Sequence, residues 1–183
     1  MALTTSRLRL RPFERSDADR VLGLAGDWAV ARMLGDVGYP LTLSAAERYV
    51  RRQRGEVSFA MEMDGTLIGA VSYYRTERAT AELGFWLGRA WWGQGLALEG
   101  TGAVVRNAFA HSRLAAFTSG HFHDNPSSKR VLARLGFVPT ECANVWCKSR
   151  GAWVSSTRYR LDRPAEALTR GRARSWFARC TGA

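Results

Sequence analysis

The chain is poor in cysteine. Cys142, Cys147 and Cys180 are odd in number and show neither CxxC spacing nor a nearby histidine pair. Neither a disulfide framework nor a structural zinc site finds support in that pattern. Long apolar runs are missing too: none approaches the roughly 20 residues that span a bilayer. The opening "MALTTSRLRLRP" lacks the apolar core of a signal peptide. A cytoplasmic protein is the expectation. No GxxxxGK[ST] or GxGxxG nucleotide motif occurs, and there is no internal repeat or low-complexity block. Histidine is scarce. "HFH" sets His121 and His123 on one face of a strand, but no third ligand is evident, so half-exposed strand residues are expected and no metal.

Lysine is nearly absent. The 27 basic residues are Arg except for Lys129 and Lys148, and the net charge is +11. That balance fits an anionic partner or ligand. The charges are scattered, with no block of five or more, which favours solvated faces over a nucleic-acid surface.

What is present reads as one folded domain: 183 residues, 46% hydrophobic and 11% aromatic. "RLRLRPF" alternates Leu8 and Leu10 with Arg7, Arg9 and Arg11, a half-buried strand ended by Pro12. "SDADRVLGLAGD" predicts a helix capped by Ser16 or Asp17. "LTLSAAERYVRRQRG" predicts another, with Ser44 as cap, Glu47 completing a capping box and Gly55 as stop. Asp64-Gly65 joins two strands as a tight hairpin. The strand "TAELGFWLG" then leads into the helix "LEGTGAVVRNAFAHS", whose Leu98, Val105, Ala108 and Phe109 share a face. "AAFTSGHFH" is the next strand. In "NPSSKRVLARLG", Asn125 caps a helix, Pro126 takes its first position and Gly136 closes it. "FVPTECANVWC" and "GAWVSSTRYRLD" predict a final strand pair. The order gives a mixed α+β sheet, not a doubly wound parallel one.

The turn "RAWWGQGLA" carries the most information. Gly93 and Gly95 let successive N–H groups face inward, and the helix beyond adds free donors and a positive dipole end. A phosphate cradle and an ordinary strand–helix turn both remain open on this motif alone.

"AELGFWLGRAWWGQGLALEG" resembles the signature of the GNAT superfamily of N-acetyltransferases, above all its RimJ/RimL-like branch of ribosomal-protein N-terminal acetyltransferases. The superfamily's acetyl-CoA loop, Gln/Arg-x-x-Gly-x-Gly/Ala, falls here on Trp92-Gly93-Gln94-Gly95-Leu96-Ala97, with Trp92 departing from the pattern. "TSRLRLRPFERSDAD", "FAMEMDGTLIGAVSYY" and "DNPSSKRVLARLGFV" resemble the branch's opening, central hairpin and second cofactor segment. The resemblance implies the GNAT fold, a central twisted sheet of about seven strands with flanking helices. It implies that acetyl-CoA binds with its pyrophosphate on the amides from Trp92 to Ala97. Its pantetheine arm would run beside Phe85, Trp86 and Leu87, where a bulge near Gly84 would start a splay between strands. In the family, the positions of Asn125 and Ser128 contact the pantetheine or thioester end. Glu82 stands where the branch places its proposed general base, and a strand carboxylate paired with an arginine is the plainer reading. Ser128 is the candidate to protonate the departing sulfur. The tyrosine that many relatives carry in this late helix is replaced by Val131 and Leu132.

The acceptor is an amine. A protein N-terminus, an antibiotic or a polyamine all occur in the branch, and the positive charge favours an acidic protein or peptide. A basic nucleic-acid-binding protein and a non-catalytic acetyl-CoA sensor are the readings from other classes. Trp28, Met33, Leu34, Tyr39 and Tyr49 are expected near the acceptor groove or in the core. Monomer and homodimer are both open. The expected division is a catalytic domain over 1–162 and a basic extension over 163–183, with Arg170, Arg172, Arg174, Arg179, Trp176 and Phe177 against a single Glu166.

Overall fold

A computed structural model describes residues 2–51 and 55–164. The extension beyond Pro164, with its arginines, Trp176, Phe177 and Cys180, lies outside the described residues. Eight strands form one open sheet: β1 (Leu3–Thr4), β2 (Arg9–Arg11), β3 (Glu56–Met63), β4 (Thr66–Arg75), β5 (Thr80–Leu87), β6 (Ala116–Phe122), β7 (Val138–Cys147) and β8 (Ala152–Asp162). Their order is β1-β2-β3-β4-β5-β6-β8-β7, and every pairing is antiparallel except β5 with β6. The helices are α1 (Ala18–Ala25), α2 (Trp28–Ala31), α3 (Leu43–Val50), α4 (Leu96–His111) and α5 (Pro126–Arg134).

The mixed sheet is as expected, with one strand more than the seven read from the sequence. The addition is β1, whose two residues are too few to show a period; Thr5 turns it back by accepting from the Leu8 amide at 2.9 Å. Two helix starts differ from the expectation. Asp17 does not cap α1: its carboxylate takes the Glu14 amide and a two-pronged salt bridge from Arg11 at 2.7 and 2.8 Å. Thr42, not Ser44, caps α3, and that helix ends at Val50 with Arg51 extended, short of Gly55. The Thr42 hydroxyl, two residues upstream, takes the Ala45 amide, which leaves Ser44 inside the helix with its own hydroxyl accepting from Arg48.

The sheet has two covered faces. Leu8, Leu10, Met61, Ile68, Leu83 and Phe117 bury against Leu96, Val104, Val105, Ala108 and Phe109 of α4 and Leu132 of α5. Gly100 permits that approach, since a Cβ there would meet Met61 Sδ at 2.8 Å. On the other face Ala60, Ala70 and Trp86 pack on Ala18, Val21, Ala46 and Val50 of α1 and α3. At about 1.5–3 kcal/mol per large side chain, these two clusters supply most of the driving force. The Asp64-Gly65 turn forms as predicted, both residues having positive φ (48° and 75°).

Candidate functional site

The splay forms where β5 and β6 part. Their parallel pairing runs only from Thr80↔Ala116 to Glu82↔Thr118. Beyond it β5 stays with β4, and β6 stays with β8 as far as Phe122↔Ser156. The expected bulge at Gly84 is absent: the β4–β5 register is unbroken from Arg75↔Ala81 to Gly69↔Leu87. The sheet divides between two intact pairs, and no bulge is needed.

Strand alternation decides which groups line the gap. The Gly88 amide donates to Ile68 in β4, so the odd residues Leu83, Phe85 and Leu87 turn their backbone toward the gap. Two of their carbonyls are capped by side chains. Ser119 Oγ donates to Leu83 O and the Trp92 indole N–H donates to Leu87 O, both at 2.8 Å. Among the described residues this leaves the Phe85 N–H and C=O and the Leu87 N–H without partners. Uncapped polar backbone at a strand edge is costly unless water or a ligand meets it.

At the gap's mouth the chain turns through Gly93 and Gly95 at φ 76° and 77°, a region open to glycine. The first bond within α4 runs from Glu99 N to Gly95 O at 3.1 Å. The amides from Gly93 to Leu98 make no hydrogen bond to a described residue, which the start of a helix requires for Gly95 to Leu98. Trp92 differs from the expectation: its amide is already given to Arg89 O at 3.2 Å, and its indole is what joins the loop to β5. Trp91 packs beneath, under the Arg20 guanidinium at 5.3 Å from its ring centre. Gln94 turns its side chain back to Ala90 O. Leu96 is buried, and Ala97 packs against the core. Six free amides at the positive end of a 16-residue helix suit a diphosphate.

The second helix start lies at the same edge, because α5 leaves the carboxyl end of β6 as α4 leaves that of β5. Asn125 caps α5, accepting from the Ser128 amide at 3.1 Å, and Pro126 follows as predicted. Ser128 is half-buried, and its hydroxyl makes no bond to a described residue.

Glu82 lies on the opposite face from α4, in line with Gly84 and Trp86. Its Oε2 accepts from Thr118 Oγ1 at 2.5 Å and from Arg158 Nη2 at 2.6 Å. Gly120 makes room, for a Cβ there would sit 3.0 Å from the Arg158 guanidinium. Above Gly84 the space is open. Tyr74, cross-strand from Glu82, has its phenol raised by partial burial and by the negative charges of Glu82 and Asp36. Trp86 donates to the Tyr49 hydroxyl at 2.8 Å, and burial pushes that phenol up to about 12. Of the aromatics expected here, Tyr49 is thus core, while Trp28 and Tyr39 meet at a tilt on the surface, 4.8 Å between centres.

The turn between β7 and β8 closes this side. Lys148 N donates to Gly35 O, Ser149 Oγ to Ala31 O and Arg150 Nε to Arg32 O. Asp124 binds Arg150 and Arg32, at 2.9 and 2.6 Å, and those arginines hold its carboxyl below the usual range. Arg158, Thr118, Ser119 and Arg150 were not picked out from the sequence. Arg158 is 76 residues from Glu82, and only strand parity, placing it opposite Gly120, could have signalled it. The histidines diverge from the half-exposed expectation. His121 is buried against Tyr159 Oη and Phe122 O, whereas His123 is exposed. Among the described residues no group of three or more His, Cys, Asp or Glu is placed to hold a metal, and no helix is long and apolar enough to cross a membrane.

Residues 7–138 match the family model described as an acetyltransferase (GNAT) domain. The chain is 33% identical over 93 residues to the ribosomal-protein-serine acetyltransferase of Escherichia coli, an alignment covering 49% of this chain and about half (52%) of that enzyme. Its fold is similar to that of an acetyltransferase from Bacillus anthracis, with TM-score 0.78, 20% identity and coverage of 88% and 98% of the two chains. It is similar also to RimL, a ribosomal L7/L12 α-N-protein acetyltransferase solved with coenzyme A, at TM-score 0.77 and 19% identity over 88% and 98%.

Proposed function

The chain belongs to the acetyltransferase (GNAT) family, whose members use acetyl-CoA as acetyl donor, and from that membership we propose that it acetylates the N-terminal amine of a protein or peptide. The observation that carries the donor half is the run of free amides, Gly93–Leu98 with Phe85 and Leu87, around an open splay. Gly93, Gln94, Gly95, Leu96 and Ala97 would hold the diphosphate. The edge of β5 at Phe85 and Leu87 would pair with the amides of the pantetheine arm, Trp86 between them having its backbone turned to β4, and Asn125 and Ser128 would stand by the thioester end. Acetyl-CoA, when bound, supplies an activated acyl group with a thiolate leaving group.

The rest falls to this chain's residues. The incoming amine must lose a proton before it has a lone pair to use. Glu82, at the last paired step before the splay, is the base in this reading; both its contacts fall on Oε2, which leaves Oε1 to accept that proton directly or through water. A β5 amide, Phe85 or Leu87, donates to the carbonyl oxygen as charge builds on it. Ser128 can return a proton to sulfur, although a thiol with an ordinary pKa near 8.5 leaves without much help.

The acceptor class rests on charge. On the Glu82 face three carboxylates are already matched: Glu82 with Arg158, Asp124 with Arg150 and Arg32, Asp36 with Lys148 at 3.7 Å. A polyamine or aminoglycoside needs several free carboxylates, and an acidic peptide with one amine does not. The E. coli relative's name points the same way. The test is thiol release from acetyl-CoA against peptides with acidic and neutral N-terminal segments, polyamines and aminoglycosides, with mass spectrometry of the product. Turnover confined to the polycations would overturn the peptide reading.

A further inference from the structure

Arg7 reaches the cradle from a different part of the chain. It lies in the turn between β1 and β2, and its Nη1 donates to the Gln94 carbonyl at 2.9 Å. Its Nε and Nη2 clasp Glu99 Oε2 at 2.7 and 2.6 Å, in the first turn of α4. Thr5 Oγ1, Ser6 Oγ and the Arg7 amide complete the shell on Glu99 Oε1 at 2.6, 3.0 and 2.9 Å. One guanidinium therefore fastens two points of the loop, one a peptide carbonyl and one a helix side chain.

A trans peptide carries its C=O and the following N–H on opposite sides. With the Gln94 carbonyl held by Arg7, the Gly95 N–H faces away from Arg7, and it has no partner among the described residues. At φ 77° Gly95 sits in a region where neighbouring peptides flip at little cost, so the orientation of this one needs an outside hold. We propose that Arg7 is a positioning residue for the donor site: it locks the Gln94–Gly95 peptide with its N–H presented to the diphosphate and keeps the Glu99 charge matched beside it. The guanidinium fork is essential to this role, since a lysine offers one point charge and cannot hold both partners in a plane. The inference rests on the donor-site reading above.

The test is the calorimetric Kd of coenzyme A for the wild type, Arg7→Ala, Arg7→Lys and the double variant Arg7→Ala/Glu99→Gln, with turnover of S-acetylpantetheine alongside. In Arg7→Ala, coenzyme A should bind roughly tenfold or more weakly, the scale of one hydrogen bond to a charged group. Turnover of acetylpantetheine, which has no diphosphate, should stay at the wild-type level. Arg7→Lys should recover little of the affinity; it also carries the test alone if Arg7→Ala does not fold. The double variant should remain weak; recovery there would reduce Arg7 to a charge mask and overturn the peptide-locking role. Equal losses on both donors would mean general damage, and an unchanged Kd would also overturn the inference. A wild type that binds no coenzyme A would instead overturn the donor-site reading itself.

Discussion

The two sides of the splay are made of different materials. In the proposed reading the donor side is backbone: consecutive amides from Gly93 to Leu98 and the edge of β5, with side chains such as Trp92, Ser119 and Arg7 tethering the frame. The acceptor side is side chains, Glu82, Thr118, Arg158, Tyr74 and Asp124, drawn from four strands and a turn, with Thr118 and Arg158 bonded to Glu82 and Arg150 bonded to Asp124. A backbone site leaves its mark as glycines at fixed spacing and tolerates change elsewhere. A side-chain site is fixed by ion pairs between distant segments, so each exchange changes what it accepts. On that reading one half would serve a constant donor and the other a variable acceptor.

The difference can be broken most sharply at Glu82. Glu82→Gln should lower kcat by about 10²–10⁴ while coenzyme A binds as before, because the change lies wholly on the acceptor side. If kcat survives and only the melting temperature falls, Glu82 is a structural partner of Arg158. On the donor side, Gly95→Val forces a β-branched residue to φ 77°, at a cost of about 1–3 kcal/mol in the loop. Calorimetry should show coenzyme A weakened by roughly tenfold to a hundredfold, with no change in the preference among amines. A smaller effect is expected of Trp92→Phe, which keeps the ring and removes the N–H to Leu87 O. A loss of roughly three- to tenfold in coenzyme A affinity fits one neutral hydrogen bond; no loss would make the indole contact incidental.

The mildest perturbation is acid. Burial alone would raise the Glu99 carboxyl, but hydrogen bonds from Thr5, the Arg7 backbone and side chain and Ser6 outweigh it and bring it from 4.5 down to about 2. A depressed carboxyl adds stability above its unfolded value and loses it as pH falls through its folded one. For Glu99 that window runs from about 4.5 down to about 2. Circular dichroism melts should show Glu99→Gln less stable than wild type at neutral pH, the gap closing across that window. A gap that stays constant into acid would mean the carboxylate's charge is not what anchors the loop.

Much of the frame was legible because it is written locally. The Asp64-Gly65 turn and the Asn125-Pro126 helix start each depend on neighbours in sequence, as does the glycine loop; the strand read over residues 7–11 forms only at Arg9–Arg11, with Arg11 buried against Asp17 and Glu62 rather than turned outward. What was misread was local signal overruled by distance. Asp17 looked like a cap, yet Arg11 and Glu14 claim it; Ser44 looked like a cap, yet Thr42 stands before it. His121 read as half-exposed, and β8 buries it through Tyr159. The splay needed no bulge, a fact visible only in which strands keep their partners. Arg7 read as a polar strand position, yet it lies in the turn before β2 and reaches Gln94, and Arg158 showed no signal beyond being one arginine among many.

A donor site made of backbone amides left free around the splay is read out by amide hydrogen exchange with and without coenzyme A. Exchange should slow at Gly93–Leu98, Phe85 and Leu87, with the Trp92 amide, already bonded, little changed. Coenzyme A binding that leaves those amides exchanging at their free rates would contradict it.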